Sequence, residues 1–71
     1  MLGLFKRSIE SKQKIIIFYI DSENKVTERY IRVLRIDKDS ILAYCYYRRK
    51  VRTFNMENIL SAGYARKKVG A

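Results

Sequence analysis

The stretch IIIFYIDSENKVTERYIRVLRI, residues 15–36, decides the fold. It opens with Ile15, Ile16, Ile17, Phe18, Tyr19 and Ile20. This β-branched and aromatic run is too short for a buried helix and suited to a pleated surface. Asp21, Ser22, Glu23 and Asn24 follow, residue types whose short polar side chains bond their own backbone and favour a turn. Val26–Ile36 then resumes the strand character, and its apolar positions change parity on the way. Ile31 and Val33 fall on one side and Leu34 and Ile36 on the other, the pattern of a strand with a bulge or bend in its middle. A hairpin whose second strand is long and bent is the beginning of a small barrel, in which that strand serves both halves of the sheet.

The flanks agree with this start. Downstream, residues 37–40 form a polar turn, residues 41–48 alternate, residues 51–55 return, residues 56–60 make one helical turn and residues 61–66 close the sheet. Upstream, Leu2, Phe5 and Ile9 recur at helical spacing with Lys6, Arg7, Glu10 and Lys12 between them. That stripe predicts a short amphipathic helix ending near Gln13 and packed on the sheet rather than lying on a membrane. The expected fold class is therefore mainly β, a small five-stranded SH3-like or Sm-like barrel with a short N-terminal α-helix. It forms one domain over residues 1–66 (helix about 2–13, barrel about 14–66), followed by a basic tail over 67–71.

Composition narrows the function. A chain of 71 residues supports one modest core and no deep cleft between domains. Its formal charge is +9, from sixteen Lys and Arg against seven Asp and Glu, which favours polyanionic partners with nucleic acid first. With one cysteine and no histidine it can build no internal disulfide, zinc cage or Cys/His catalytic pair. The best carboxylate pair, Asp37 and Asp39, sits in a turn where such residues serve the backbone. Hence neither an enzyme nor a bound cofactor or metal is expected. No apolar run approaches the ~18 residues of a spanning helix, and no signal-peptide pattern opens the chain, so a cytoplasmic protein without membrane attachment is expected.

The chemistry concentrates in residues 43–54, AYCYYRRKVRTF. Aromatic faces beside guanidinium forks are what holds bases and phosphates together. Alternation puts Ile41, Ala43, Cys45 and Tyr47 on one face and Leu42, Tyr44, Tyr46 and Arg48 on the other. Ala43 and Cys45, small and apolar, mark the inward face. Whether Arg52 and Phe54 join Tyr44 and Tyr46 depends on the hairpin loop, because a one-residue slip moves every side chain across the sheet. An odd loop over residues 49–51 would gather Tyr44, Tyr46, Arg48, Arg52 and Phe54, and an even one would split them; the odd loop is preferred. Phe54 is also a candidate for the core, and Tyr19 for either core or rim.

At these residues the chain resembles the WYL domain family. The likeness runs from about Ile9 to Ile59. It rests on Ile9 before a strand carrying Ile15, Ile17 and Tyr19, on the Thr-x-Arg of Thr27 and Arg29, on the pair Ala43 and Tyr44, and on the Arg-x-Phe of Arg52 and Phe54 with Ile59 after it. The eponymous Trp-Tyr-Leu falls at Asp39, Ser40 and Ile41, a usual proline is Val33, and a frequent second arginine is Asn58. Members of the family usually carry a winged-helix domain before the barrel and an extension after it, so the resemblance is to a stand-alone or excised barrel of a bacterial transcription regulator. It implies a sensor module that binds single-stranded DNA or RNA, or a nucleotide-like ligand. The candidate binding set is Tyr19, Arg29, Tyr44, Tyr46, Arg48, Arg49, Arg52, Phe54 and Asn58. The competing expectation is a protein-interaction or homo-oligomer adaptor that offers the long strand Val26–Ile36 as an edge.

Overall fold

A computed structural model describes residues 2–65, so Arg66 and the basic tail expected over 67–71 lie outside the described residues. One helix, α1 (Leu2–Ser11), precedes five strands: β1 (Ile15–Ile20), β2 (Val26–Ile36), β3 (Ser40–Cys45), β4 (Lys50–Asn55) and β5 (Ile59–Tyr64), with a 3-10 turn at Met56–Asn58 between the last two. All pairings are antiparallel, in the order β4-β3-β2-β1-β5. The fold is mainly β with an N-terminal helix, as the sequence predicts. The closing strand begins two residues earlier than expected, at Ile59 rather than Ser61.

The sheet curls on itself. Tyr19 of β1 and Phe54 of β4 are separated by two intervening strands in the sheet, yet their ring centroids stand 5.1 Å apart at an interplanar angle of 85°. Strands in a flat sheet lie ~4.8 Å apart laterally, so two rings three strands apart meet only if the sheet wraps round a common interior. That interior is a single cluster of Ile15, Ile17, Ile31, Val33, Ile41, Ala43, Cys45, Phe54 and Ile59, drawn from all five strands, and Phe5 of the helix plugs it.

The parity change in β2 is a bulge. Val33 pairs with Ala43 but Arg35 pairs with Leu42, leaving Leu34 unopposed, and this turns Ile36 back towards the core. The long strand is shared between its neighbours: β1 pairs with its first half, residues 26–31, and β3 with its second, residues 31–36, so each half is paired along one side, while β4 and β5 end the strand order. The helix also differs from its expected face. Leu2 is 52% exposed, whereas Ser8 is fully buried beside Phe5 and Leu4 and Ile9 pack on the core.

Candidate functional site

Register first settles which candidates can meet. The β3–β4 hairpin pairs Tyr44 with Val51, Ala43 with Arg52 and Ile41 with Phe54, leaving Tyr46, Tyr47, Arg48 and Arg49 as a four-residue loop. The loop is thus even, not odd. Directly opposed residues share a face of the sheet, so Arg52 and Phe54 lie with Ala43 and Ile41 on the inner side, and Tyr44 lies with Val51 on the outer side. The expected gathering of Tyr44, Tyr46, Arg48, Arg52 and Phe54 is split. Arg49 closes the loop in the left-handed region at φ 56°. A type I turn followed by such a residue is a common way to build a four-residue hairpin without Asn-Gly.

Five of the nine candidates nonetheless converge. Tyr19, Arg29, Arg48, Arg52 and Phe54 line one concavity of about 390 Å³ at the mouth of the barrel. Its remaining wall is Thr53 and the β1–β2 loop residues Asp21, Ser22 and Glu23. The arginines arrive from three places, β2, the β3–β4 loop and β4. Arg29 shares the inner face with Ile17, its partner across the β1–β2 ladder, and Arg52 with Ala43. Both therefore stand where the inner face leaves the apolar core and opens to solvent.

Arg29 is held by its strand neighbour. Its Nε donates to Thr27 Oγ1 at 3.2 Å, and the Thr27 hydroxyl donates to the Tyr19 carbonyl at 3.2 Å. Residues two apart share a face of a strand, so the Thr-x-Arg spacing lets the threonine fix the guanidinium plane through Nε and leave its terminal nitrogens to the concavity. Among the described residues the ion pairs are Lys25–Glu23 and Arg35–Asp37, and neither involves Arg29, Arg48 or Arg52. The two carboxylates on the rim serve the loop instead. Asp21 Oδ1 accepts the backbone N–H groups of Glu23 and Lys25, each at 2.9 Å, and Glu23 lies 3.8 Å from the Lys25 ammonium. The three guanidiniums thus present fork donors that no carboxylate caps directly, beside the two loop carboxylates of the same wall, an arrangement with net positive charge that suits a phosphate.

Phe54 is only 2% exposed, so it backs the concavity and supports the edge of Tyr19 rather than stacking on a base. Tyr44, Tyr46, Arg49 and Asn58 do not line the concavity, and Asn58 belongs to the 3-10 turn. Conversely, Thr27 as a holder of Arg29, and Asp21, Ser22, Glu23 and Thr53 as wall, are not in the candidate binding set drawn from sequence. For Thr27 the signal was present in its spacing from Arg29. The loop's fold over the barrel mouth leaves no local mark in DSEN beyond turn propensity.

Fold and site together define a small basic β-barrel with an arginine-lined mouth. No protein-family model and no curated protein matches this chain. Among solved structures, proteasome accessory factor B/C (PafBC) of Arthrobacter aurescens is similar, with a TM-score of 0.78 over 93% of this chain at 22% identity. The chain spans 11% of the length of that protein. At this identity the likeness concerns the fold alone, a small five-stranded antiparallel β-structure with an N-terminal helix.

Proposed function

We propose that the chain is a non-enzymatic, cytoplasmic binding module of a regulator, which captures single-stranded nucleic acid or a nucleotide-like phosphorylated ligand at the mouth of the barrel. The observation that carries this reading is the convergence of Arg29, Arg48 and Arg52 on one concavity with no ion-pair partner among the described residues. Arginine forks hold phosphate oxygens and the Tyr19 ring flanks the base or sugar. The resemblance to WYL domains and the likeness to a segment of PafBC both favour a regulatory role.

Fluorescence anisotropy of labelled single-stranded DNA and RNA tests it. Binding should weaken steeply with salt, and Arg29→Ala or Arg52→Ala should each weaken it and reduce the slope of log K against log[salt] by about 0.7, the value for one phosphate contact on a single strand. Absence of binding at low salt, or binding indifferent to salt, removes the nucleic-acid reading.

A second reading, a protein-interaction adaptor, draws on the edges of the sheet, where Val51 of β4 and Leu60 of β5 are about half exposed. It predicts an oligomer that salt does not dissociate in sedimentation, with no affinity for polyanions.

A further inference from the structure

The split of the aromatic residues from the arginines leaves a group of tyrosines outside the barrel, and they too are assembled. Tyr30, Tyr46 and Tyr47 line a second, shallow concavity of about 370 Å³ together with Lys14 and Glu28. The Lys14 ammonium lies 5.0 Å from the Tyr46 ring centroid and 5.7 Å from that of Tyr30, so one cation ties two rings. Tyr44 braces the far side of Tyr46 with a T-shaped contact at 5.1 Å, and the Tyr46 N–H donates to the Tyr30 carbonyl at 3.0 Å. The rings are nonetheless open, with Tyr30, Tyr46 and Tyr47 exposed by 42%, 36% and 80%.

Arg48 joins the two concavities. It lines the barrel mouth, and its guanidinium carbon stands 5.9 Å from the ring centroid of Tyr47, which lines the outer platform. A ligand leaving the mouth past Arg48 therefore meets Tyr47 first and then the Lys14-bound pair Tyr46 and Tyr30. Successive aromatic faces with cations beside them match a single strand, whose bases stack while its phosphates track the charge. The platform is lined by one carboxylate, Glu28, and one ammonium, Lys14, and Arg48 beside Tyr47 adds a second cation.

Resting on the reading of the mouth as a phosphate site, we infer that the occupant is an oligonucleotide rather than a mononucleotide. One phosphate is seated among Arg29, Arg48 and Arg52, and the following bases stack over the β3–β4 loop on Tyr47, Tyr46 and Tyr30. The span corresponds to on the order of four nucleotides, at the short end of site sizes for small barrels.

The test is a length series of 5′-labelled oligothymidylates, from two to eight residues, titrated into the full chain. A strand of eight abasic sites serves as the control for charge without bases. Affinity should rise with length to about four nucleotides and then rise only slowly, and the abasic strand, which keeps the charge and lacks the bases, should bind on the order of tenfold or more weaker than the octamer. Tyr46→Leu with Tyr47→Ala should lower affinity for the octamer on the order of tenfold or more, the strength of one stacked base, and lower it by less for the dinucleotide, which reaches Tyr47 alone. Tyr46→Phe with Tyr47→Phe, which keeps both rings, should bind the octamer like the parent and so excludes a folding defect as the cause. Equal loss for dinucleotide and octamer, or no loss for either, overturns the outer track while leaving the mouth site standing. Failure of every strand to bind overturns both.

Discussion

At the scale of single residues, two hydroxyls do work that the apolar pattern hides. Ser8 is fully buried, donates to the Gln13 carbonyl at 2.6 Å and accepts the Val33 N–H at 3.0 Å. Continuing the β1–β2 register past the pair Ile15 and Ile31 would bring Gln13 opposite Val33, so the serine bridges two backbone groups at the point where the ladder has come apart. Replacement by alanine leaves the buried Val33 N–H without a partner. Ser8→Ala should therefore cost about 1–3 kcal/mol in urea unfolding, more than a surface serine would. Thr27 is different, because it is half-buried and its loss frees the Arg29 guanidinium as well as the Tyr19 carbonyl. Thr27→Val keeps the β-branched shape and removes the acceptor for Arg29 Nε. It should change the melting temperature little and weaken oligonucleotide binding several-fold by releasing Arg29 from its orientation. A binding loss matched by an equal loss in Thr27→Ser, which retains the hydroxyl, would contradict the positioning role.

At the scale of elements, the β3–β4 hairpin shows what is legible and what is not. Its strands, the inward Ala43 and Cys45 and the bulge in β2 all follow from residue types and parity, because burial of one face writes itself into a period of two. The length of the loop does not. Residues 46–49 carry none of the Asn-Gly or Asp-Gly signals of a short turn, and the left-handed position is filled by Arg49 at φ 56°. Hence the face shared by Arg52 and Phe54 stayed undetermined, and with it half of the site. Arg29, Arg52 and Tyr19 could be singled out individually, but their meeting depends on the curl of the sheet, a long-range property no local pattern encodes. The same loop offers a test. A non-glycine residue in the left-handed region costs roughly 1–2 kcal/mol, and glycine costs about 0.4–1 kcal/mol in unfolded-chain entropy. Arg49→Gly should thus raise stability by about 0.5–1 kcal/mol. Since Arg49 stands outside the mouth, its binding loss should be smaller than that of Arg48→Ala at the same change of net charge. Destabilisation by Arg49→Gly would mean that the arginine side chain holds the loop.

At the scale of the whole molecule, charge sets the response to salt. The full sequence carries +9, of which residues 2–65 hold thirteen Lys and Arg against seven Asp and Glu within a radius of gyration of 11.7 Å, and among the described residues only two ion pairs offset the excess, both exposed. Such pairs are worth about 0–1 kcal/mol each, whereas like charges on so small a body lie within one or two screening lengths of ~10 Å at 0.1 M salt. Self-repulsion of this kind opposes the compact state, so sodium chloride should raise the melting temperature of the free protein. It should weaken the complex with nucleic acid at the same time, because released counterions oppose binding. A multivalent anion separates general screening from a built site. At matched ionic strength, inorganic pyrophosphate should raise the melting temperature beyond the effect of chloride, since a ligand at 100 times its Kd adds about 2.7 kcal/mol to the folded state. For a domain of this size 1 kcal/mol corresponds to roughly 4–8 °C, so the excess is readily measured by scanning fluorimetry. Arg29→Ala with Arg52→Ala should abolish that excess while keeping the chloride response, because seven of the nine net charges remain. If pyrophosphate stabilises the parent no more than chloride does, the arginines at the barrel mouth are a solvated rim and not a phosphate site.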